Sequence, residues 1–130
     1  MPLVRVDLRK GRDVRAVSAA VHRAMVETLG VPERDRFQVI TEHDGAHLVF
    51  DPGYLDIQRE NAVFVQVVLA RGRDVETKQK FYARCAELLA EAAHVRREDV
   101  LISLLECGRE DWSFGNGEAQ YVTRPREQWK

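Results

Sequence analysis

Proton transfer and the gripping of a carboxylate are the two kinds of chemistry this sequence offers, and the residues suited to them lie far apart along the chain. Pro2 follows Met1, and so small a second residue permits removal of the initiator methionine. The exposed proline nitrogen is then a secondary amine held at the head of a strand rather than on a mobile tail. An α-amino group titrates near ~8 in water; desolvation lowers that value and a neighbouring carboxylate raises it, so the amine can serve as base or acid. On position alone, Pro2 as no more than the residue after Met1 is the stronger reading, and the rest of the pattern shifts the balance. Arg71 and Arg73 flank Gly72, where two guanidinium forks can hold a carboxylate in bidentate fashion beside the amides of a helix start. Two surface arginines in a loop is the alternative. Asp35 can orient water or stabilise a protonated Pro2, or it can be a strand-entry cap. Trp112, Phe114 and Tyr121 can wall an apolar pocket, or simply pack.

Other chemistry finds little support. His43 and His47 have half of a metal spacing, but Asp44-Gly45 between them breaks any helix, so no metal is expected. His22 and His94 are scattered, and no Gly-rich phosphate loop or serine elbow occurs, so no cofactor is expected. Cys85 and Cys107 lack zinc spacing and read as core thiols. Twenty Lys and Arg against 21 Asp and Glu leave a net charge of −1, a poor match for nucleic acid or an anionic membrane. No signal-like or membrane-length apolar run occurs, which points to the cytoplasm.

The elements that must position these residues form a unit written twice. Gly11-Arg12-Asp13-Val14 recurs as Gly72-Arg73-Asp74-Val75, and Val31, Asp35 and Glu42 recur as Val95, Asp99 and Glu106. The repeat gives Arg73 a partner in Arg12 and Asp35 a partner in Asp99, so a relic of duplication is the competing account of each. With 45% hydrophobic residues, the 130-residue chain suits one domain over residues 1–130, its halves spanning about 2–43 and 61–107. Leu3 to Leu8 alternates as a half-buried strand, while Ala62 to Ala70 reads as a strand buried on both faces. Asp13 and Asp74 are expected N-caps. The apolar stripes Val14, Val17, Val21, Met25, Leu29 and Phe81, Cys85, Leu88, Ala92 predict two amphipathic helices. Gly30 and Pro32 stop the first, and Phe37 to His43 and Val100 to Glu106 resume strand character. The expected class is α+β: duplicated β-α-β units in a four-stranded mixed sheet, both helices on one face, the other face open for partner chains or ligand. A short extra strand at Val49-Phe50, a C-terminal hairpin at Asn116-Gly117 and a loose polar tail from Arg124 to Lys130 complete the expectation; the tail is assigned no chemistry, with Trp129 packing on a neighbour.

Pro2 at the head of the first strand, the duplicated units and an arginine at the second helix start together resemble the tautomerase superfamily, over nearly the whole chain. Gly30-Val31-Pro32, Asp35-Arg36-Phe37-Gln38, Arg71-x-Arg73 and Asp111-Trp112-Ser113-Phe114-Gly115 look like its malonate semialdehyde decarboxylase branch. The resemblance implies a homotrimer with the Pro2 nitrogen at a pocket floor near a subunit boundary. It further implies Arg71 and Arg73 on a substrate carboxylate, Asp35 assisting, and Gln38, Trp112, Phe114 and Tyr121 among the substrate-binding residues. Gly72 stands where that branch is expected to carry proline, which puts cofactor-independent tautomerisation of small 2-oxo acids such as phenylpyruvate first and decarboxylation of a 3-oxo acid second. A trimeric binding or regulatory module without turnover is the non-enzymatic alternative.

Overall fold

The computed structural model describes residues 2–129; Met1, on whose removal the Pro2 amine depends, and Lys130 lie outside the described residues. Strand β1 (Pro2–Arg9) alternates as its sequence requires, burying Pro2, Val4, Val6 and Leu8. Helix α1 (Val14–Leu29) starts where the Asp13 carboxylate accepts the Ala16 amide at 3.1 Å and ends at Gly30, whose φ of 69° is the left-handed C-cap. Strand β2 (Gln38–His43) runs parallel to β1, closing the first β-α-β unit. The second unit repeats the plan with β3 (Val63–Ala70), α2 (Val75–Ala93) and β4 (Val100–Cys107), and Asp74 caps α2 through the Thr77 amide at 2.8 Å. The sheet order is β2-β1-β3-β4, with β1 and β3 antiparallel and the other two pairs parallel.

Both helices cover one face, where Val17, Val21 and Met25 of α1 and Phe81, Cys85 and Leu89 of α2 meet the inward residues of β1 and β3. Fully burying side chains of this size contributes roughly 1.5–3 kcal/mol each, and burial pushes the Cys85 thiol up to about 12, as a core thiol should behave. The fully buried line of α2 runs through Leu89 and Ala93, because a spacing of four from Phe81 onward keeps one line of contact with the sheet; Leu88 packs partly buried at the side of the core, and Ala92 is exposed. Strand β3 is buried on one face only: Val63, Val65, Val67 and Leu69 point into the core while Gln66 is exposed. The open face carries Leu3, Val39, Val68, Leu101 and Leu105, with Leu105 as much as 48% exposed, and a polar band at Arg5, Gln66 and Ser103.

Three expectations about the connections are corrected. No strand forms at Val49-Phe50; Leu48 is buried instead, the Arg9 guanidinium donates to its carbonyl at 3.4 Å, and Arg9 lies 4.9 Å from the Phe50 ring centre. One side chain thus supplies what a sheet edge would have supplied. At Asn116 and Gly117 the turn does form, with φ of 60° and 66°, but no hairpin follows. The Gln120 side chain takes up the backbone of one arm, accepting from the Phe114 amide at 2.9 Å and donating to the Gly115 carbonyl at 2.8 Å, and the chain turns into the short helix α3 (Gln120–Thr123). The tail is ordered too: a 3-10 turn at Arg126–Gln128 folds it back, so that Trp129 packs on Tyr121 of its own chain, ring centres 4.4 Å apart.

Candidate active site

The topology gathers the separated residues at one end of the sheet. Pro2 opens β1 opposite Leu69, near the end of β3, and the first residue of a strand is where an imino acid without an N–H is tolerated. Because β3 runs antiparallel to β1, its exit through Arg71, Gly72 and Arg73 into α2 lies beside the β1 start. Because β2 is parallel to β1, its entry through Asp35 and Phe37 lies there as well, and the Val4 amide donates to the Phe37 carbonyl at 3.0 Å. Strand β4 ends on the same side, and its continuation through a 3-10 turn at Arg109–Asp111 delivers Trp112 and Phe114.

Three adjoining clefts follow from this arrangement. Pro2 and Leu3 share the first with Phe37, Trp112 and Phe114. Phe37 and Phe114 also line the second, together with Asp35, Tyr121 and Trp129. Tyr121 and Trp129 in turn border the third, which holds Arg71, Arg73, Arg109 and Arg126. The dividing walls are aromatic: Trp112 stacks on Phe114 at 5.5 Å, and Phe114 meets Tyr121 edge-on at 4.9 Å. Trp112, Phe114 and Tyr121 therefore lie together; Pro2 shares a cleft with the first two, and the arginine pair shares one with Tyr121.

Charge links the three clefts. Burial raises the Asp35 pKa above its ordinary 3.8, opposed by the positive start of the chain, His22 and Arg73. Burial also raises the Tyr121 hydroxyl, helped by the Asp35 charge and opposed by Arg73 and Arg109, so this phenol stays protonated. Arg73 is partly committed to structure. Its Nε and Nη2 donate to the Leu29 carbonyl at 3.1 and 2.9 Å, and its Nη1 donates to the Ala70 carbonyl at 3.1 Å. Leu29 is the last residue of α1, where carbonyls have no partner within the helix, so Arg73 ties that helix end to the β3 exit. The Arg71 side chain is exposed at the cleft. Gly72 between them has a φ of 131°, matched by 109° at Gly11 in the other half; a proline, fixed near −65°, cannot take this path. Gln38 borders none of the three clefts. Its side-chain oxygen accepts from the Ser18 hydroxyl and its nitrogen donates to the Ser18 carbonyl at 3.2 Å, which turns the amide toward α1.

The duplication has an image of this site in the second half. Asp99, the repeat partner of Asp35, is buried and accepts the amides of Glu60 and Asn61 at 2.8 and 3.1 Å, while Arg12, the partner of Arg73, donates to the Asn61 carbonyl at 2.6 Å. Backbone amides occupy this carboxylate, whereas Asp35 in the first half is acted on by the charge at the chain start. The shared strand-entry position is therefore structural in one half, and its counterpart borders a cleft in the other.

Sequence reasoning missed Arg109, Arg126 and Trp129. The two guanidinium carbons lie 5.3 and 5.7 Å from the Trp129 ring centre. Pro125 and Trp129 in an otherwise polar tail were the available signals. Among the described residues no group of three or more His, Cys, Asp or Glu side chains is placed to hold a metal ion, and no helix is long and apolar enough to cross a membrane.

Comparison with known proteins finds likeness over almost the whole chain. Family models described as "Tautomerase enzyme" match residues 35–115 and residues 2–56. The chain is similar to Probable tautomerase YusQ of Bacillus subtilis (strain 168), 37% identical over 126 residues covering 94% of this chain and 99% of that protein. The structure of FG41 malonate semialdehyde decarboxylase inhibited by 3-bromopropiolate superposes with a TM-score of 0.88 at 43% identity, covering 93% of this chain and 95% of that one. A fused 4-OT, a symmetric trimer, shares the fold at a TM-score of 0.78 and 21% identity, covering 94% and 99%.

Proposed function

The chain belongs to the tautomerase family, and from that premise we propose that it is a cofactor-independent keto–enol tautomerase of small 2-oxo acids, phenylpyruvate-like in shape, worked by the Pro2 amine after loss of Met1. The observation that carries this reading is the placement of Pro2: buried at the head of β1, against Phe37, Trp112 and Phe114, at the sheet end where Asp35 borders the adjoining cleft. The proposed roles need an amine that both takes and gives a proton, and the apolar wall and the Asp35 carboxylate are the two surroundings that act on it in opposite senses. The neutral nitrogen takes the enol O–H proton and returns it to C3, the C=C pair becoming the C–H bond as C=O forms. Arg71 and the remaining N–H donors of Arg73 hold the carboxylate, and the stacked aromatic rings receive the substrate's apolar end. Gln38 acts one step back, through Ser18, on the wall that carries Asp35 and Phe37.

Decarboxylation of malonate semialdehyde is the second reading, favoured by the 43% identity to a decarboxylase of that substrate. There the protonated Pro2 nitrogen polarises the aldehyde oxygen, the bond to the carboxylate carbon breaks, and the electron pair is held as an enol until C2 is protonated. The partly apolar open face of the sheet fits burial between copies of the chain, and a homotrimer is its arrangement in our reading. Steady-state assays on phenylpyruvate enol and on malonate semialdehyde test the proposal: the first is the better substrate, and Pro2→Ala lowers its kcat/KM by about 100-fold or more, in the range typical of a general base. A Pro2→Ala protein with full activity, or a native protein whose mass retains Met1, defeats the mechanism and leaves the binding-module alternative.

A further inference from the structure

Helix α1 buries one polar residue, His22, among six apolar ones, and leaves it only 5% exposed. Its Nε2 lies 2.8 Å from the Glu33 carbonyl oxygen. A carbonyl can only accept, so Nε2 carries a proton and donates it; the other ring nitrogen, Nδ1, is buried with no hydrogen-bond partner among the described residues. Glu33 stands inside the turn that the Asp35 amide closes on the Pro32 carbonyl at 3.0 Å. Two residues beyond Asp35, the Phe37 carbonyl accepts from Val4 of β1. The segment that carries Asp35 is therefore held from α1 before the carboxylate and from β1 after it. The Glu33 side chain also pairs with Arg23 at 2.7 Å, but that contact is exposed and screened by solvent, so the buried main-chain bond is the firmer hold.

The duplicated half shows that the fold does not require this tie. With the buried line Val17, Val21, Met25, Leu29 laid on Phe81, Cys85, Leu89, Ala93, His22 falls on Ala86, which has no side-chain donor. The turn still closes there, the Asp99 amide donating to the Arg96 carbonyl at 2.9 Å. Leaving one ring nitrogen buried without a partner costs about 1–3 kcal/mol, and that cost is borne only in the copy whose aspartate borders a cleft.

We infer that His22 is a positioning residue for the reaction: its Nε2–H bond to the Glu33 carbonyl holds the turn that sets Asp35 at the Pro2 end of the sheet. This rests on the reading of Pro2 as the working amine and of Asp35 as its partner. His22 borders none of the three clefts, so it acts through Asp35. Misplacement of a reacting group by about 1 Å can cost about 100-fold, and release of one of two ties around Asp35 is expected to cost about tenfold.

Steady-state assays of the full chain, on whichever of phenylpyruvate enol and malonate semialdehyde it turns over faster, compare His22→Asn with His22→Gln. A Gln amide nitrogen reaches the place of Nε2, whereas an Asn amide stops at the place of Nδ1, so only the first can donate to the Glu33 carbonyl. The expected result is a kcat lowered about tenfold in His22→Asn with KM changed by less than about twofold, and a kcat restored to within about threefold of the parent in His22→Gln. Because residues that act as a unit do not add, His22→Asn/Asp35→Asn is no slower than Asp35→Asn. Should His22→Asn not fold, His22→Leu, which keeps the bulk and lacks the donor, takes its place under the same expectations. Full kcat in His22→Asn beside an impaired Asp35→Asn, a His22→Gln protein as slow as His22→Asn, or two losses that multiply overturns the positioning role and leaves the tautomerase reading standing. Full activity in both Pro2→Ala and Asp35→Asn, or a parent inactive on both substrates, removes the tautomerase reading and this role with it.

Discussion

Arg73→Ala separates holding the fold from holding the substrate. In the folded protein the Arg73 guanidinium gives two bonds to the Leu29 carbonyl and one to the Ala70 carbonyl. Hydrogen bonds to a charged group are each worth about 1.5–3 kcal/mol when broken one-sidedly. Two carbonyls lose their donor, and the relief of burying a guanidinium, whose pKa is lowered first by desolvation, offsets part of that loss; the net expectation is about 2–3 kcal/mol. For 130 residues the unfolding entropy is about 0.27 kcal/mol/K, so the Tm falls by roughly 7–11 °C. Arg71→Ala removes an exposed side chain and shifts stability by no more than about 0.5 kcal/mol, while KM for a 2-oxo acid rises in both variants. Calorimetry at one fixed protein concentration, so that any subunit association is held constant, reads the difference directly. An Arg73→Ala protein that melts within about 2 °C of the parent shows that solvent satisfies those carbonyls and refutes the strut.

Two further predictions follow from the same end of the sheet. Because burial raises the Asp35 pKa, the folded state holds this proton to higher pH than the unfolded chain; its favourable contribution is complete below 3.8 and is lost as pH rises through the folded value. Asp35→Asn is therefore neutral or stabilising in a melt at pH 7 while it lowers kcat and removes an acidic limb that lies above pH 3.8; a variant that is both less stable and fully active contradicts this assignment. Gly72→Pro forces a φ of 131° toward −65°, and should displace Arg73 from its carbonyls, lowering Tm and raising KM together; a crystal structure with the Arg73 contacts intact counts against the constraint.

The repeat made much of this architecture readable, because two copies of Gly-Arg-Asp-Val and matching apolar stripes mark the strand exits and the helix starts independently. The caps at Asp13, Asp74 and Gly30 depend on backbone groups within a few residues, and that locality is why they could be placed. What escaped depends on partners far away in sequence. Nothing around Asn116-Gly117 announces that Gln120 will take up the backbone of one arm, and nothing near Arg124 announces that Tyr121 and Arg109 offer Trp129 a place to pack. Likewise Arg71 and Arg73 look interchangeable two residues apart; only the positions of Leu29 and Ala70 make one a tie and leave the other exposed. Asp35 and Asp99 match in the repeat yet differ in surroundings, since the amides of Glu60 and Asn61 reach Asp99 while Asp35 borders a cleft.

That last difference bears on how a duplicated protein divides its labour. With Asp99 occupied by the amides of Glu60 and Asn61, the second copy is closed to amine chemistry for as long as the chain is continuous there. Its descendants are free to change in other ways, and the stretch after β4 records one outcome: where the first copy continues into a linker, the second continues into Trp112, Phe114, Tyr121 and Trp129 around its sister's cleft. In the reading proposed for Pro2, substitutions near the carboxyl terminus reshape walls of the clefts at the amino-terminal end of the sheet. A cut between the halves would test the ancestry in reverse, by giving β3 a free amine of its own beside a carboxylate that has long served as scaffold.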